Sequence, residues 1–181
     1  MGGSLTEDEI RGILNYFPDL SKQIKNFIES GTYKGQSSRT ASQIFETVDT
    51  VEIVPTLYAE SQQNNKGISN INYHLGDSVK FLPGIVSKID SPIFIFLDAH
   101  QSGGDTANNG KNVPLLEELK VILAVLKRSS IILIDDVRLF DKYWDWCGIS
   151  PETILKCFED FEVSIQAHFI ENDRMIIAVN I

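Results

Sequence analysis

The sequence predicts an α/β fold: a seven-stranded, mostly parallel sheet with one antiparallel strand and helices on both faces. Two runs, 92–99 and 130–136, are apolar on both faces, as central parallel strands are when helices cover both sides. Strand-like and helix-like segments alternate from residue 26 onward, as in βαβ units. Residues 162–181 then predict a terminal hairpin, which supplies the antiparallel strand.

The elements follow in order along the chain. Thr6 and Glu9 have the spacing of a capping box and predict a short helix that Pro18 ends, so residues 1–22 form a helix and linker. The other predicted helices are 36–47, 55–64, 78–88, 114–128 and 151–160. The predicted strands are 26–30, 49–54, 71–75, 92–99, 130–136, 162–170 and 174–181, with the turn Glu171-Asn172-Asp173 joining the last two.

Bulk composition fits one domain, residues 1–181, with a sizeable core. A net charge of -9 argues against a nucleic-acid partner, which needs a basic surface. No run approaches the ~20 apolar residues that cross a bilayer, so we expect no membrane partner. The opening residues lack the basic and apolar regions of a signal peptide, and Cys147 and Cys157 show no metal-ligand spacing. We expect a cytoplasmic location, and a domain that belongs to a longer protein.

The segment from Glu29 to Gly35 predicts a strand, a glycine turn and a helix start. Its Gly-x-x-x-Gly spacing differs from the Gly-x-Gly-x-x-Gly of dinucleotide sites. An acid at this turn disfavours a diphosphate but suits a cofactor with a cationic amino-acid end, such as S-adenosylmethionine (SAM). An ordinary strand-to-helix turn is the alternative. The expected cofactor-binding residues here are Glu29, Gly31, Thr32, Tyr33, Gly35, Ser37 and Ser38.

Two further segments extend this cofactor hypothesis. Glu52 ends the second strand, about 20 residues beyond the glycine turn, where an acid can bind ribose hydroxyls. Asp77 and Ser78 follow the third strand, where Asp77 can face the adenine amino group. Capping of the next helix by Asp77 or Ser78 is an equally good explanation.

Three acids follow the two central strands. Asp98 ends the fourth strand and Asp135 and Asp136 end the fifth, so their carboxylates should converge and repel one another. A divalent cation such as Mg²⁺ would relieve that repulsion. The alternative is a helix cap at Asp98 and a buried structural acid at Asp135. His100, two residues after Asp98, is a candidate general base or metal ligand.

An aromatic segment follows the paired acids. Arg138, Tyr143 and Trp144 are candidate acceptor-binding residues, because aromatic faces beside polar groups suit sugars and flat molecules. Packing beneath the sheet edge is the alternative. The loop 101–112, rich in Gly and Asn, is expected to be a mobile active-site loop.

Together, Glu29–Gly35, Leu97-Asp98-Ala99-His100 and Ile134-Asp135-Asp136 resemble class I SAM-dependent methyltransferases. More narrowly, they are similar to the macrocin O-methyltransferase-like group, which methylates sugar hydroxyls. The resemblance covers about residues 25–140 and the hairpin, and implies a Rossmann-like fold. It implies that Glu29, Gly31 and Gly35 bind the methionine end of SAM, that Glu52 binds ribose, and that Asp98, Asp135 and Asp136 hold Mg²⁺. His100 stands where some members carry an acidic base.

The expected function is therefore divalent-metal-assisted O-methylation of a sugar or similar polyhydroxylated molecule, with His100 and Asp98 catalytic. A deoxyhexose such as rhamnose in a glycan is the example that the resemblance suggests, and a flanking domain such as a glycosyltransferase would fit it. One alternative is a non-catalytic SAM- or glycan-binding module of a larger sugar-modifying protein. The other is a nicotinamide-dependent oxidoreductase.

Overall fold

The computed structural model describes residues 3–100 and 113–181, so the predicted loop 101–112 lies outside the described residues. The helices are α1 Glu7–Tyr16, α2 Pro18–Ser21, α3 Gln36–Ser42, α4 Pro55–Asn64, α5 Ser78–Val86, α6 Leu115–Leu123 and α7 Pro151–Asp160. The strands are β1 Asn26–Ser30, β2 Thr47–Glu52, β3 Ile71–Leu75, β4 Ile93–Leu97, β5 Ser130–Ile134, β6 Ser164–Glu171 and β7 Arg174–Asn180. Single 3₁₀ turns occur at Val137–Leu139 and Trp144–Trp146.

The seven strands form one sheet in the order β3-β2-β1-β4-β5-β7-β6. All pairings among β1 to β5 are parallel, and β7 runs antiparallel to both of its neighbours. The predicted sheet is therefore confirmed. Because the central strands are parallel, their carboxyl ends meet at one edge, where ligands bind in open α/β sheets.

Two hydrophobic cores hold the helices against the sheet. On one side α5, α6 and α7 pack over residues such as Ile28 and Ile95, and on the other α1 and α3 pack over Phe27 and Phe94. Every residue of β4 and β5 is buried, which explains why these strands are apolar at every position. Each fully buried large apolar side chain stabilises the fold by about 1.5–3 kcal/mol.

Several element boundaries differ from the prediction. The strands β4 and β5 end at Leu97 and Ile134, so the acids lie just beyond them rather than within 92–99 and 130–136. The second strand is Thr47–Glu52 rather than 49–54, because Pro55 opens the next helix and holds Val54 extended before it. The helix predicted over 36–47 stops at Ser42.

Local sequence signals correctly predicted the start of α1 and the turn of the last hairpin. Thr6 and Glu9 form the capping box of α1. Asn172 and Asp173 have φ values of 50° and 69° and make a two-residue turn between β6 and β7. Among the described residues, none of the helices combines the length and hydrophobicity needed to cross a membrane.

Candidate active site at the carboxyl edge of the sheet

Three acids lie together just beyond β4 and β5. Leu97 pairs with Ile134 in the parallel register, and the amide of Asp135 donates to the carbonyl of Leu97 at 3.1 Å. The residues that follow these strands, Asp98 on one and Asp135-Asp136 on the other, therefore start from adjacent positions. This is the convergence that the sequence predicted.

His100 lies between two of these acids. Its Nε2 is 3.1 Å from Oδ2 of Asp136, and its Nδ1 is 3.6 Å from Oδ1 of Asp98. The imidazole ring contacts Trp146 edge-on, with ring centroids 5.4 Å apart. Each nitrogen thus faces a carboxylate, and the indole limits the ring's movement.

The candidate metal ligands form two overlapping groups rather than the predicted set of Asp98, Asp135 and Asp136. Ligand atoms of Asp98, His100 and Asp136 lie within 4.8 Å of one another, and so do those of Asp135, Asp136 and Asp173. His100, already a candidate ligand from the sequence, belongs to the first group, and Asp173 is the residue that the structure adds. Asp173 arrives because the hairpin turn places the start of β7 beside the end of β5.

Two arginines contact the acids after β5. Arg138 forms ion pairs with Asp136 and Asp173. The Nε of Arg174 lies 3.2 Å from Oδ1 of Asp135, and the same guanidinium also pairs with Glu9 of α1. Sequence reasoning missed Arg174 and Asp173, because their place in the site depends on which strand β7 pairs with.

Burial and mutual repulsion raise the pKa of Asp98 and of Asp135. For Asp98, burial is the largest cause, and the charges of Asp135, Asp136 and Glu29 raise its pKa further, well above the usual range. Burial also raises the pKa of Asp135, although Arg174 opposes this rise. A proton or a cation is thus favoured at this edge of the sheet.

The two glycines of the turn after β1 pack closely against the protein itself. Gly31 has φ +83°, and a Cβ there would lie 2.7 Å from the carbonyl oxygen of Asp98. Gly35 has φ +77°, and a Cβ there would lie 2.5 Å from Nδ2 of Asn65. Chain packing therefore accounts for both glycines, and their contact with a cofactor stays a prediction.

Glu29 belongs to a buried polar network beneath this turn. Its side chain is 1% exposed, and its Oε2 accepts hydrogen bonds from the hydroxyls of Ser38 and Thr50. Thr32 extends the network, with its Oγ1 2.6 Å from Oγ1 of Thr50. Burial raises the pKa of Glu29 to about 7. The hydroxyl of Ser37 also lowers the pKa of Glu29, and it accepts a hydrogen bond from the amide of Leu5 at 3.0 Å.

The other predicted cofactor residues also have partners in the protein. Glu52 accepts hydrogen bonds from the amides of Tyr33 at 2.8 Å and Val54 at 2.9 Å. Asp77 is the N-cap of α5 and accepts from the amide of Val79 at 3.1 Å, while Ser78 is the first helical residue. The capping explanation is thus confirmed for Asp77, and the ribose and adenine contacts stay predictions.

A small cleft, partly open to solvent, lies beside His100. Trp146 lines it, whereas Tyr143 and Trp144 do not; Trp144 is 82% exposed, and Arg138 is held by acids. Trp146 is therefore the tryptophan of this segment that lies at the cleft, and it is the aromatic residue that the sequence prediction missed. The described lining residues are Leu97, Asp98, Ala99, His100, Val113, Leu115, Glu118, Asp135 and Trp146.

No protein-family model matches the chain, and no curated protein matches it. Solved structures do match it. CalS10, an amino pentose methyltransferase from Micromonospora echinaspora bound to SAM, has a TM-score of 0.64 at 12% identity, covering 99% of this chain and 93% of its own. An O-methyltransferase from Bacillus cereus in complex with SAH has a TM-score of 0.63 at 18% identity, covering 95% and 81%.

A third match is named as a methyltransferase that acts on nitrogen rather than on oxygen. The N-methyltransferase NodS from Bradyrhizobium japonicum has a TM-score of 0.58 at 12% identity, and each chain is covered over 96% of its length. Identities this low report the fold and not the reaction. The chain therefore has the Rossmann-like fold of class I SAM-dependent methyltransferases, as the sequence predicted.

Proposed function

We propose that this protein is a SAM-dependent methyltransferase that acts on a hydroxyl of a sugar or similar polyhydroxylated molecule, with His100 as the general base. One observation carries the proposal: His100 lies between Asp98 and Asp136 in a cleft at the ligand-binding edge of a methyltransferase-like sheet. The CalS10 match supports a sugar acceptor, since that protein is an amino pentose methyltransferase.

The chemistry of the cleft fits SAM, whose sulfonium and ammonium groups are cationic. Besides Asp98, which is assigned to the cation below, its described lining residues include the carboxylates of Glu118 and Asp135. When bound, SAM supplies a methyl group on a positively charged sulfur, which departs as a neutral thioether when an acceptor oxygen attacks. The protein's part is to bind both molecules in line and keep water out, and Trp146 and Leu97 provide apolar walls for this.

The base role follows from the surroundings of the imidazole. A neutral His100 takes the hydroxyl proton on one ring nitrogen, while the carboxylate facing the other nitrogen orients the ring and stabilises the imidazolium. The acids on both sides thus favour proton transfer from a weakly acidic alcohol.

A divalent cation is the second part of the proposal. Asp98, His100 and Asp136 would hold it, because their ligand atoms lie close enough together to share one ion. When bound, such a cation lowers the pKa of the acceptor hydroxyl. A donor set of two carboxylates and one imidazole suits Mn²⁺ as well as Mg²⁺. Ligation by one nitrogen of His100 excludes proton transfer at that same atom, so the base and ligand roles make different predictions.

An amino group is the alternative acceptor. The acidic edge would attract a protonated amine, and both NodS, an N-methyltransferase, and CalS10, an amino pentose methyltransferase, share the fold. Once this amine has given its proton to His100, its lone pair needs no cation to attack SAM. Chelation therefore separates the two acceptors: it should abolish transfer to oxygen and spare transfer to nitrogen.

The first experiment measures thermal melting with SAM, with NAD, and with SAM plus Mg²⁺ or Mn²⁺, followed by radiolabelled methyl transfer into neutral sugars and amino sugars. A ligand that binds only the native state raises the melting temperature. Stabilisation by SAM with transfer to a neutral sugar is the expected result. Stabilisation without transfer to any sugar would favour a non-catalytic module, and stabilisation by NAD alone would favour an oxidoreductase.

A further inference from the structure

Glu118 of α6 is a buried carboxylate without a hydrogen-bond partner in the described part of the chain. It is 1% exposed, and neither Oε1 nor Oε2 has a partner there. A buried, unpartnered carboxylate is destabilising, and nearly all buried polar groups in native proteins are paired. Such a group is a candidate for a role that only a bound ligand completes.

Its position connects the cleft to the predicted cofactor site. Glu118 lines the cleft that also holds Asp98 and His100. The hydroxyls of Ser30, at the end of β1, and Ser78, at the start of α5, are close enough to lower its pKa, but neither reaches it with the distance and angle of a hydrogen bond. The Oγ of Ser30 is itself without a partner in the described residues.

Among the described residues, no cationic side chain acts on Glu118. Burial, with a smaller contribution from the charge of Asp77, raises the pKa of Glu118 to about 7. A carboxyl with this pKa is present at neutral pH both as an ionised acceptor and as a protonated group that can donate. A ligand edge that offers a donor beside an acceptor would match both forms.

Adenine has such an edge, with the N6 amino group as donor and N1 as acceptor. The sequence predicts an adenine contact at Asp77, which precedes Ser78, and Glu118 lines the cleft beside Ser78. Glu29 is not equivalent to Glu118, because the hydroxyls of Ser38 and Thr50 already occupy it. Of these two buried glutamates, Glu118 is the one that is left for a ligand.

We propose that Glu118 is a specificity-determining residue that binds the adenine of SAM, accepting a hydrogen bond from the N6 amino group. This inference rests on the proposed function. A protonated Glu118 would also donate to N1. The Gln side chain offers an acceptor and a donor in the same places, so it should substitute for Glu, whereas Met fills the same space and offers neither.

The experiment measures the dissociation constants of S-adenosylhomocysteine, of 5′-methylthioadenosine, which lacks the amino-acid end, and of the purine analogue of methylthioadenosine that lacks the 6-amino group. The proteins are the unmodified chain, Glu118→Gln, Glu118→Met and Glu159→Gln, a control at an exposed position of α7. Glu118→Met should weaken both adenine ligands by roughly tenfold or more and weaken the des-amino ligand, which keeps N1, much less. Glu118→Gln and the control should stay within about threefold of the unmodified protein.

Three results would overturn the assignment. Equal weakening of the amino and des-amino ligands by Glu118→Met would indicate a purely structural role. Loss of S-adenosylhomocysteine binding in Glu118→Gln, with methylthioadenosine unaffected, would place the carboxylate at the ammonium end. An unmodified protein that binds none of the three ligands would instead refute the proposed function, on which the assignment rests. Melting curves of both variants check that each is folded.

Discussion

The Nε2 of His100 lies 3.1 Å from Oδ2 of Asp136, so a residue after β4 and a residue after β5 meet across the edge of the sheet. Replacing the imidazole should therefore remove the proposed base and, with it, the one nitrogen ligand of the proposed cation site. We expect His100→Ala to lower kcat by roughly 10²–10⁴-fold, measured with radiolabelled SAM, because general bases contribute that much. SAM affinity should stay within about threefold.

His168→Ala is the matched control, since His168 is exposed on β6. It should keep full turnover. Unchanged kcat in His100→Ala would rule out the base role.

Replacing Asp98 and Asp136 tests whether a divalent cation takes part in the reaction. Asp98→Asn and Asp136→Asn should lose turnover and retain SAM binding, since both side chains belong to the candidate ligand group with His100. EDTA should mimic both variants, and titration with Mn²⁺ or Mg²⁺ should restore activity to the unmodified protein only. Asp160→Asn, at an exposed position of α7, is the control. Full turnover of both variants in the presence of EDTA would show that no cation takes part.

Substitution of Gly31 tests whether the turn after β1 holds Asp98 in position. Gly31→Ala should destabilise the protein by about 1–3 kcal/mol in urea unfolding, because of its φ of +83° and the 2.7 Å approach to the carbonyl of Asp98. It should also lower turnover by displacing Asp98. Gly84→Ala is the control in α5, where a Cβ meets nothing within 4 Å and should stabilise by about 0.5–1 kcal/mol. Equal effects of the two changes would contradict this account.

Replacing Arg174 tests how much its buried ion pair with Asp135 contributes to the free energy of unfolding. Both residues are buried, and Arg174→Met would leave the carboxylate of Asp135 without its guanidinium. We expect a loss of about 3–5 kcal/mol in the free energy of unfolding, measured by urea titration. Arg128→Met, which breaks an exposed 3.8 Å ion pair with Asp90, should cost no more than about 1 kcal/mol. A small loss at Arg174 would mean that Asp135 is protonated when the pair is absent.

The pH dependence of stability tests the two buried glutamates. Burial raises the pKa of Glu29 and of Glu118 to about 7, so the folded state binds more protons than the unfolded state between about pH 4.5 and 7. The free energy of unfolding should therefore fall as pH rises through this window, by about 3 kcal/mol for each residue. Glu29→Gln and Glu118→Gln should each flatten the profile. A profile that rises from pH 5 to 7 in the ligand-free protein would contradict the shifts.

Local signals in the sequence determined the elements and their order. Continuous apolar runs fixed β4 and β5, Thr6 and Glu9 fixed the start of α1, and Asn172-Asp173 fixed the hairpin turn, because each depends on residues within a few positions. The convergence of Asp98 with Asp135 and Asp136 was also predictable, since parallel strands end at one edge.

Only the tertiary structure decided which partners those side chains have. Arg174 and Asp173 join the acids because β7 pairs with β5, and Glu118 lines the cleft because α6 packs beside α5. The strand register likewise decides the partners of Glu29, because Thr50 lies opposite it on β2 and donates a hydrogen bond to its carboxylate. Sequence spacing sets which edge a residue reaches, whereas strand order and helix packing set which atoms it meets there.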